Sequence, residues 1–400
     1  MASGHARLCK RADYSLRRDT LGPYGALKPS RDRRSVREAV TPNQTTPPRA
    51  WINSVPSGTK PAERRQAASG GDRRDMSDTG VVVIGRNEGD RLRCCLESLR
   101  AMSSRTVYVD SGSTDGSAAL SRNAGVSVVE LDPTKPFTAA RARNEGWRRL
   151  LAEHPTATYV FFVDGDCEVA TGWTETAVRF LEQHPRVAVV WGFLRERYPD
   201  KSVYNLLCDM EWQQFPVGET NACGGNAVVR VAAFREVDGY RSDLICGEEP
   251  ELCIRLRRAG WRVWRLGEPM ALHDAGLDRF SQWWKRSLRG GYGYAQGAAL
   301  YGASPEQHWV TESQRAWVWG LWIPVTVLAL MVVARWWALL VLLLYPLQIL
   351  RLALGGKRSH RENWLRAGGL VLAKFPEMLG QLKFLRDRNR RVQSQLIEYK

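Results

Sequence analysis

Two carboxylates separated by one glycine, Asp164-Gly165-Asp166, stand directly after the apolar run Phe161-Phe162-Val163. At a strand end, that spacing suits a hard divalent cation, Mg2+ or Mn2+, and leaves coordination positions open to phosphate oxygens. Alone, such a turn is an ordinary surface feature; the buried strand ahead of it makes it a candidate site. Asp110 closes a second apolar run and opens a Ser/Gly/Asp turn. There it either caps the turn or accepts hydrogen bonds from a ribose or a base. Arg141, Arg143 and Asn144 open a helical stretch, and an arginine so placed pairs with a diphosphate, stacks on a base, or belongs to a solvated helix face.

These residues need a scaffold that brings strand ends together. Val81–Ile84 is wholly apolar, as in a strand buried on both faces, and Leu92, Leu96 and Leu99 follow at helical spacing. Thr106–Val109, Val126–Leu131 and Tyr159–Val163 read as further strands, with a helix over Ala139–Leu151. Arg186–Leu194 is strand-like, and Glu249–Ala259 and Phe280–Leu300 read as helices. The alternation predicts an α/β fold, a Rossmann-like open and mostly parallel sheet with flanking helices. Ligands of such sheets bind beyond the carboxyl ends of the strands, where both acidic turns fall.

The net charge of +16 suggests an anionic partner, yet residues 1–75 carry sixteen Lys/Arg against seven Asp/Glu, leaving only +7 for the rest. Specific nucleic-acid binding is therefore not expected from the total. Residues 1–77 read as a disordered basic tail without periodicity. Either Met76 is the physiological start and the segment before it over-extended translation, or that segment is an Arg-rich arm for anionic lipid or nucleic acid. The eight cysteines form no CxxC pair, so neither a zinc site nor a disulfide framework is expected.

Ala316–Ala334 and Trp336–Leu350 are uncharged, with Arg335 alone between them. About 20 apolar residues cross a bilayer as a helix, so residues 316–354 are expected to form a transmembrane hairpin. Arg315 before it and Arg351, Lys357, Arg358 and Arg361 after it place both ends on the cytoplasmic side of an inner or plasma membrane. Residues 361–390 are expected to lie on the surface as an amphipathic helix. Gly290–Gly297 follows no strand and lacks a Gly-Lys-Ser/Thr ending, so close helix packing through Gly293 and Gly297 is expected rather than a phosphate cradle.

Taken in order, the motifs resemble those of the family 2 glycosyltransferases, which have the GT-A fold. Ile84-Gly85-Arg86-Asn87-Glu88 resembles that family's first loop, with Arg86 where Tyr is more usual. Val109–Asp115 resembles the second loop, Ala142-Arg143-Asn144 the nucleotide-contacting motif, and Asp164-Gly165-Asp166 the metal motif. Gly224-Gly225-Asn226 with Arg230 is similar to the acceptor-side segment, and Gly247–Leu252 with Arg255-Leu256 to the Glu-Asp element. The resemblance covers residues 78–300. It implies donor-binding roles for Ile84, Arg86, Glu88, Asp110, Arg143, Asn144 and Asp164, and metal ligation by Asp166, Asp164 and His273. It also implies a base at Glu249, which stands where Asp is usual, or at Glu248. The Gln-x-x-Arg-Trp signature of processive synthases is absent, which favours one transfer per encounter.

The expected activity is inverting transfer of a sugar from a nucleotide-sugar donor, a UDP-sugar by resemblance, to a hydroxyl or phosphate acceptor. With a membrane hairpin, that acceptor is expected to be a lipid-linked or growing glycan, in polysaccharide synthesis. The catalytic domain is assigned to 78–300, with a linker at 301–315. The rivals are a metal-dependent nucleotidyltransferase, which would release pyrophosphate, and a non-catalytic basic membrane scaffold, which would need none of the acidic turns.

Overall fold

The computed structural model describes residues 78–391; the basic tail lies outside them. The first half alternates as expected. β1 (Thr79–Gly85) leads to α1 (Asp90–Ser98), β2 (Thr106–Asp110) to α2 (Ser117–Asn123), β3 (Ser127–Glu130) to α3 (Ala139–Glu153), and then comes β4 (Tyr159–Asp164). All four strands are parallel neighbours in the order β3-β2-β1-β4. Val81, Val82 and Val83 are wholly buried, as a strand covered on both faces must be.

Beyond β4 the sheet becomes mixed. β5 (Cys167–Val169), α4 (Trp173–Gln183), β6 (Val187–Glu196), α5 (Val203–Trp212), β7 (Gly218–Thr220) and β8 (Ala227–Arg230) come next. α6 (Val231–Glu236), α7 (Glu248–Arg258) and β9 (Arg262–His273) complete the domain. β8 runs antiparallel to both β4 and β6, and β9 runs parallel to β6 but antiparallel to β5 and β7. The strands β5, β7, β8 and β9 were not legible as separate elements, because β5 and β7 have three residues each and β8 four. β9 alternates too irregularly to announce itself: Gly267 and Glu268 interrupt its burial as exposed residues, and its pairing shifts register against β6.

α8 (Phe280–Tyr301), α9 (Val310–Trp317), α10 (Ile323–Ala334), α11 (Leu344–Leu354), α12 (His360–Leu372) and α13 (Lys374–Arg390) follow. The single helix expected over 361–390 is thus two. Most of the buried side of α13 packs on α8, where the positions of Gly291 and Gly380 let the two backbones touch: a Cβ on Gly291 would lie 2.0 Å from the Glu377 carbonyl oxygen. Gly293 and Gly297 are close-packing positions as expected, against Cys246 and Trp309. Residues 301–315 are no loose linker, since Trp309 packs against Gly247 and Ser313 donates to Gln381 at 2.6 Å.

Val310–Leu354 is, among the described residues, the helical segment long and apolar enough to cross a membrane. A π-helical turn (Val318–Trp322) and a 3-10 stretch (Arg335–Leu343) interrupt it. Tyr345 Oη donates to the Trp319 carbonyl at 2.6 Å, so the chain reverses between them, at the turn where Arg335 has a φ of 49°. Val332, Val333, Trp336 and Trp337 at that tip are at least 76% exposed. Apolar side chains so uncovered seek an apolar surrounding.

Candidate functional site

The parallel register puts the acidic turns at one sheet edge. Gly85 is level with Asp110 on one side of β1, and Ile84 with Asp164 on the other. Gly165 N–H donates to the Ile84 carbonyl at 2.8 Å, which fixes the glycine turn against the first loop. Glu88 sits beside that turn and pairs with Arg91 at 2.8 Å. Asp110 is buried; its Oδ1 accepts from Tyr108 Oη at 3.0 Å, and its Oδ2 from the N–H groups of Gly112 and Ser113. It organises its own loop, as the turn-capping reading had it. Arg86 lies over the Phe137 ring, 5.3 Å from its centroid.

Arg143 is the hub. It is 2% exposed, its Nη2 lies 2.8 Å from Asp164 Oδ1, and its Nη1 lies 2.7 Å from Glu248 Oε1 and 3.1 Å from Glu249 Oε1. One cation thus joins the metal motif to the start of α7. Burial alone would lower the Arg143 pKa, but Asp164 and Glu249 hold it well above its usual value. Three carboxylates around one guanidinium leave excess negative charge. Burial first, and then the neighbouring Glu248, push Glu249 up to about 8 against the pull of Arg143. Glu248 faces inward, whereas Glu249 lines a cavity, so only the latter is placed to meet a substrate. Glu248, Glu249 and Glu251 also occupy the first turn of α7, where the helix dipole favours carboxylates.

Asn144 is placed differently from its expected nucleotide contact. Its amide donates to the Tyr240 carbonyl at 2.7 Å and to Ser242 Oγ, and its oxygen accepts from Tyr240 N–H. It latches the loop ahead of α7 to α3. Arg230 likewise turns away, donating to the carbonyls of Leu181 and Val187.

Asp166 and His273 meet across the β5–β9 pairing, with His273 Nε2 3.3 Å from Asp166 Oδ2. Cys167 brings a third potential ligand atom within 4.8 Å. The other ring nitrogen of His273 faces Glu196 Oε2 at 3.4 Å, and Glu196 is buried. A carboxylate behind a histidine fixes which ring nitrogen is left to bind. Glu196 was not singled out by sequence reasoning; its only signal was an acidic residue ending an apolar strand, which says nothing of a partner 77 residues on. Two carboxylates and an oriented imidazole suit a divalent cation, whose charge would offset the surplus negative charge around Arg143. Asp164 and Asp166, with His273, would hold it.

Two cavities adjoin here. The smaller, of about 200 Å³, is lined by Asp164, His273, Gly225, Asn226, Trp212 and Arg286 among others. The larger, of about 780 Å³, runs from Glu249 toward α11 and α12 and shares Trp212 and Arg286 with the first. Sugar-sized space beside the acidic turns therefore meets a wider space beside Glu249.

The sequence model of glycosyl transferase family 2 matches residues 80–238. A pre-mycofactocin glycosyltransferase of Mycobacterium tuberculosis is 30% identical over 213 residues, covering 49% of this chain and 43% of that protein. The chain thus spans less than half of that relative. The succinoglycan biosynthesis protein ExoA of Rhizobium meliloti is 24% identical over 235 residues, covering 55% of this chain and 68% of its own. A mannosyltransferase of Pyrobaculum calidifontis, solved with GDP-Man and Mn2+, is 18% identical, with a TM-score of 0.48 over 78% of this chain and 88% of that one. The span that matches the glycosyl transferase family 2 model, residues 80–238, takes in Asp110, Arg143 and the Asp164–Asp166 turn and ends before Glu248, Glu249 and His273.

Proposed function

We propose that this protein transfers one sugar from a nucleotide-sugar donor, a UDP-sugar, to a lipid-linked or glycan acceptor at a membrane, with inversion at the anomeric carbon. The observation that carries the reading is the bridge Asp164–Arg143–Glu249, which sets the metal motif and the candidate base at adjoining cavities. Mg2+ or Mn2+ bound by Asp164, Asp166 and His273 would offset the charge of the departing nucleoside diphosphate. Arg143, Ile84, Arg86, Glu88 and Asp110 belong to the donor side. Asn144 serves it by holding the 240–242 loop. Glu249, deprotonated, takes the proton of the attacking hydroxyl; its place in the larger cavity rather than in the one lined by Asp164 and His273 supports attack from the face away from the diphosphate, the course of an inverting transfer.

The apolar fold-back at 316–354 supports a membrane location, with the two limbs as spanning helices and the catalytic domain on the cytoplasmic side. The basic flanks, set against Arg335 alone at the Trp-rich tip, favour that orientation.

Incubating the protein with UDP-sugars and GDP-sugars, with and without Mn2+, tests the reading. Metal-dependent release of nucleoside diphosphate, lost in Asp166→Ala, is the expected result. Release of pyrophosphate from a nucleoside triphosphate and a sugar phosphate would assign nucleotidyl transfer instead. Absence of donor turnover under all conditions would leave only a scaffold.

A further inference from the structure

The segment between α8 and the apolar fold-back is strapped across α7. Glu306 pairs with Arg257 at 2.8 Å and with Arg258 at 3.3 Å, and Tyr301 Oη donates to Glu251 Oε1 at 2.7 Å. Burial would raise the Glu306 pKa, yet its hydrogen bond from Arg257 and the charge behind it hold it below the usual range. Arg258 also lies over the Tyr301 ring, 5.0 Å from its centroid. The strap is thus tied at two points to the helix that carries Glu249.

Trp309 ends the strap and turns back toward the first residues of α7. Its backbone has a φ of 56°, which a bulky residue keeps only where its surroundings hold it. Three ring contacts do so. The indole stacks on His308 at 4.2 Å between centroids, meets Tyr294 edge-on at 5.3 Å, and covers α8 at Gly297, where a Cβ would lie 2.5 Å from Trp309 Cε3. The edge of its six-membered ring rests on Gly247. That glycine has a φ of 79°, and any Cβ there would overlap Trp309 Cη2. Gly247 stands directly ahead of Glu248 and Glu249. No side chain caps the start of α7, so its hold comes from packing and pairing: the indole on Gly247, and Arg143 on the two carboxylates. Trp309 and Glu249 line the same cavity.

We infer that Trp309 is a positioning residue for Glu249, fixing the backbone at Gly247 so that the carboxylate keeps its place in the larger cavity. The inference rests on the glycosyl-transfer reading above, in which Glu249 is the base, and adds a residue on which that base depends. Val310 opens α9 directly after Trp309, so the same contact ties the base to the apolar segment. A misplacement of about 1 Å at a reacting group costs about 10²-fold in rate, so a backbone contact one residue from the carboxylates has leverage on turnover.

The test uses the full chain in a mild detergent with Mn2+ and whichever UDP- or GDP-sugar the wild type turns over. Trp309→Ala should lower kcat by about 10–100-fold and leave the donor KM within about threefold. Trp309→Phe, which keeps a ring on Gly247, should recover most of the loss. Glu306→Gln, which loosens the strap from Arg257 and Arg258, should act in the same direction by a smaller factor. In the Glu249→Gln background each change should alter the residual turnover by no more than about twofold, because a residue acting through the carboxylate has nothing left to position. A general loss of structure would instead multiply through both backgrounds. Ligand-free unfolding temperatures check that each variant folds; if Trp309→Ala does not, Trp309→Phe and Glu306→Gln carry the same comparison. Unchanged kcat in Trp309→Ala, or in Glu306→Gln where the alanine variant does not fold, would overturn the inference alone. So would a loss of equal factor in the Glu249→Gln background, or a phenylalanine variant no better than the alanine one. A wild type that turns over no nucleotide sugar removes the glycosyl-transfer reading, and this inference with it.

Discussion

Arg143 Nη1 lies 2.7 Å from Glu248 Oε1, although 105 residues separate them and both side chains are buried. The pair closes the gap between α3 and the start of α7, and the second Arg143 nitrogen extends it to Asp164. Site assembly and fold stability therefore share one side chain.

Replacing Arg143 by Met should destabilise the protein by about 3–5 kcal/mol, because Asp164, Glu248 and Glu249 would lose the buried cation they share. The denaturant midpoint measures this. Adding Glu248→Gln should recover part of the loss, since fewer uncompensated charges remain. A fully additive double variant would show that the two residues do not interact.

Glu249→Gln should retain donor binding and lose about 10²–10⁴-fold in turnover, the usual contribution of a positioned base. In the wild type, kcat/KM should rise with pH toward a limb near 8, where Glu249 ionises. Retained turnover in Glu249→Gln would move the role to Glu248.

The same shift has a stability sign. The folded-state pKa of Glu249 is raised from 4.5 to about 8, so its contribution to stability is present below 4.5 and is lost as pH rises through about 8. Relative to wild type, Glu249→Gln should thus gain in melting temperature from pH 5 to pH 9. A difference that is constant with pH would contradict the burial of this carboxyl.

Glu196→Gln should weaken Mn2+ binding by about 10–100-fold without touching the cation, by releasing the ring orientation of His273. Electron paramagnetic resonance titration of free Mn2+ reads this directly. Asp166→Ala should remove binding altogether, and an unchanged affinity in both would place the cation elsewhere.

Gly225→Ala should impair donor turnover, since its Cβ would lie 2.5 Å from Asp164 Oδ2 and 2.7 Å from Arg143 Nη2. One of those side chains must move. A variant with full activity would mean that the Asp164–Arg143 contact is dispensable.

Local pattern alone was enough for the elements whose burial is uniform. Val81–Ile84 and Tyr159–Val163 are apolar throughout because helices cover both faces of the sheet, so a run of large aliphatics marked them, and the carboxylates at their ends came with them. Helical periodicity marked α3, α7 and α8 within one to two residues. The length and apolarity of 316–354 were likewise plain in composition.

Pairing across the chain was not contained in any local pattern. Whether Asn144 faces a nucleotide or the 240–242 loop, and whether Glu248 or Glu249 faces solvent, depends on where the loop after α6 crosses α3. That Glu196 backs His273 depends on the register of β6 against β9, a long-range choice that a three-residue β5 helps to set. Residue types announce which chemistry is available. Only the packing of elements distant in sequence selects which of those groups meet, because the free energy that decides it is the burial of whole faces rather than the preference of any single residue.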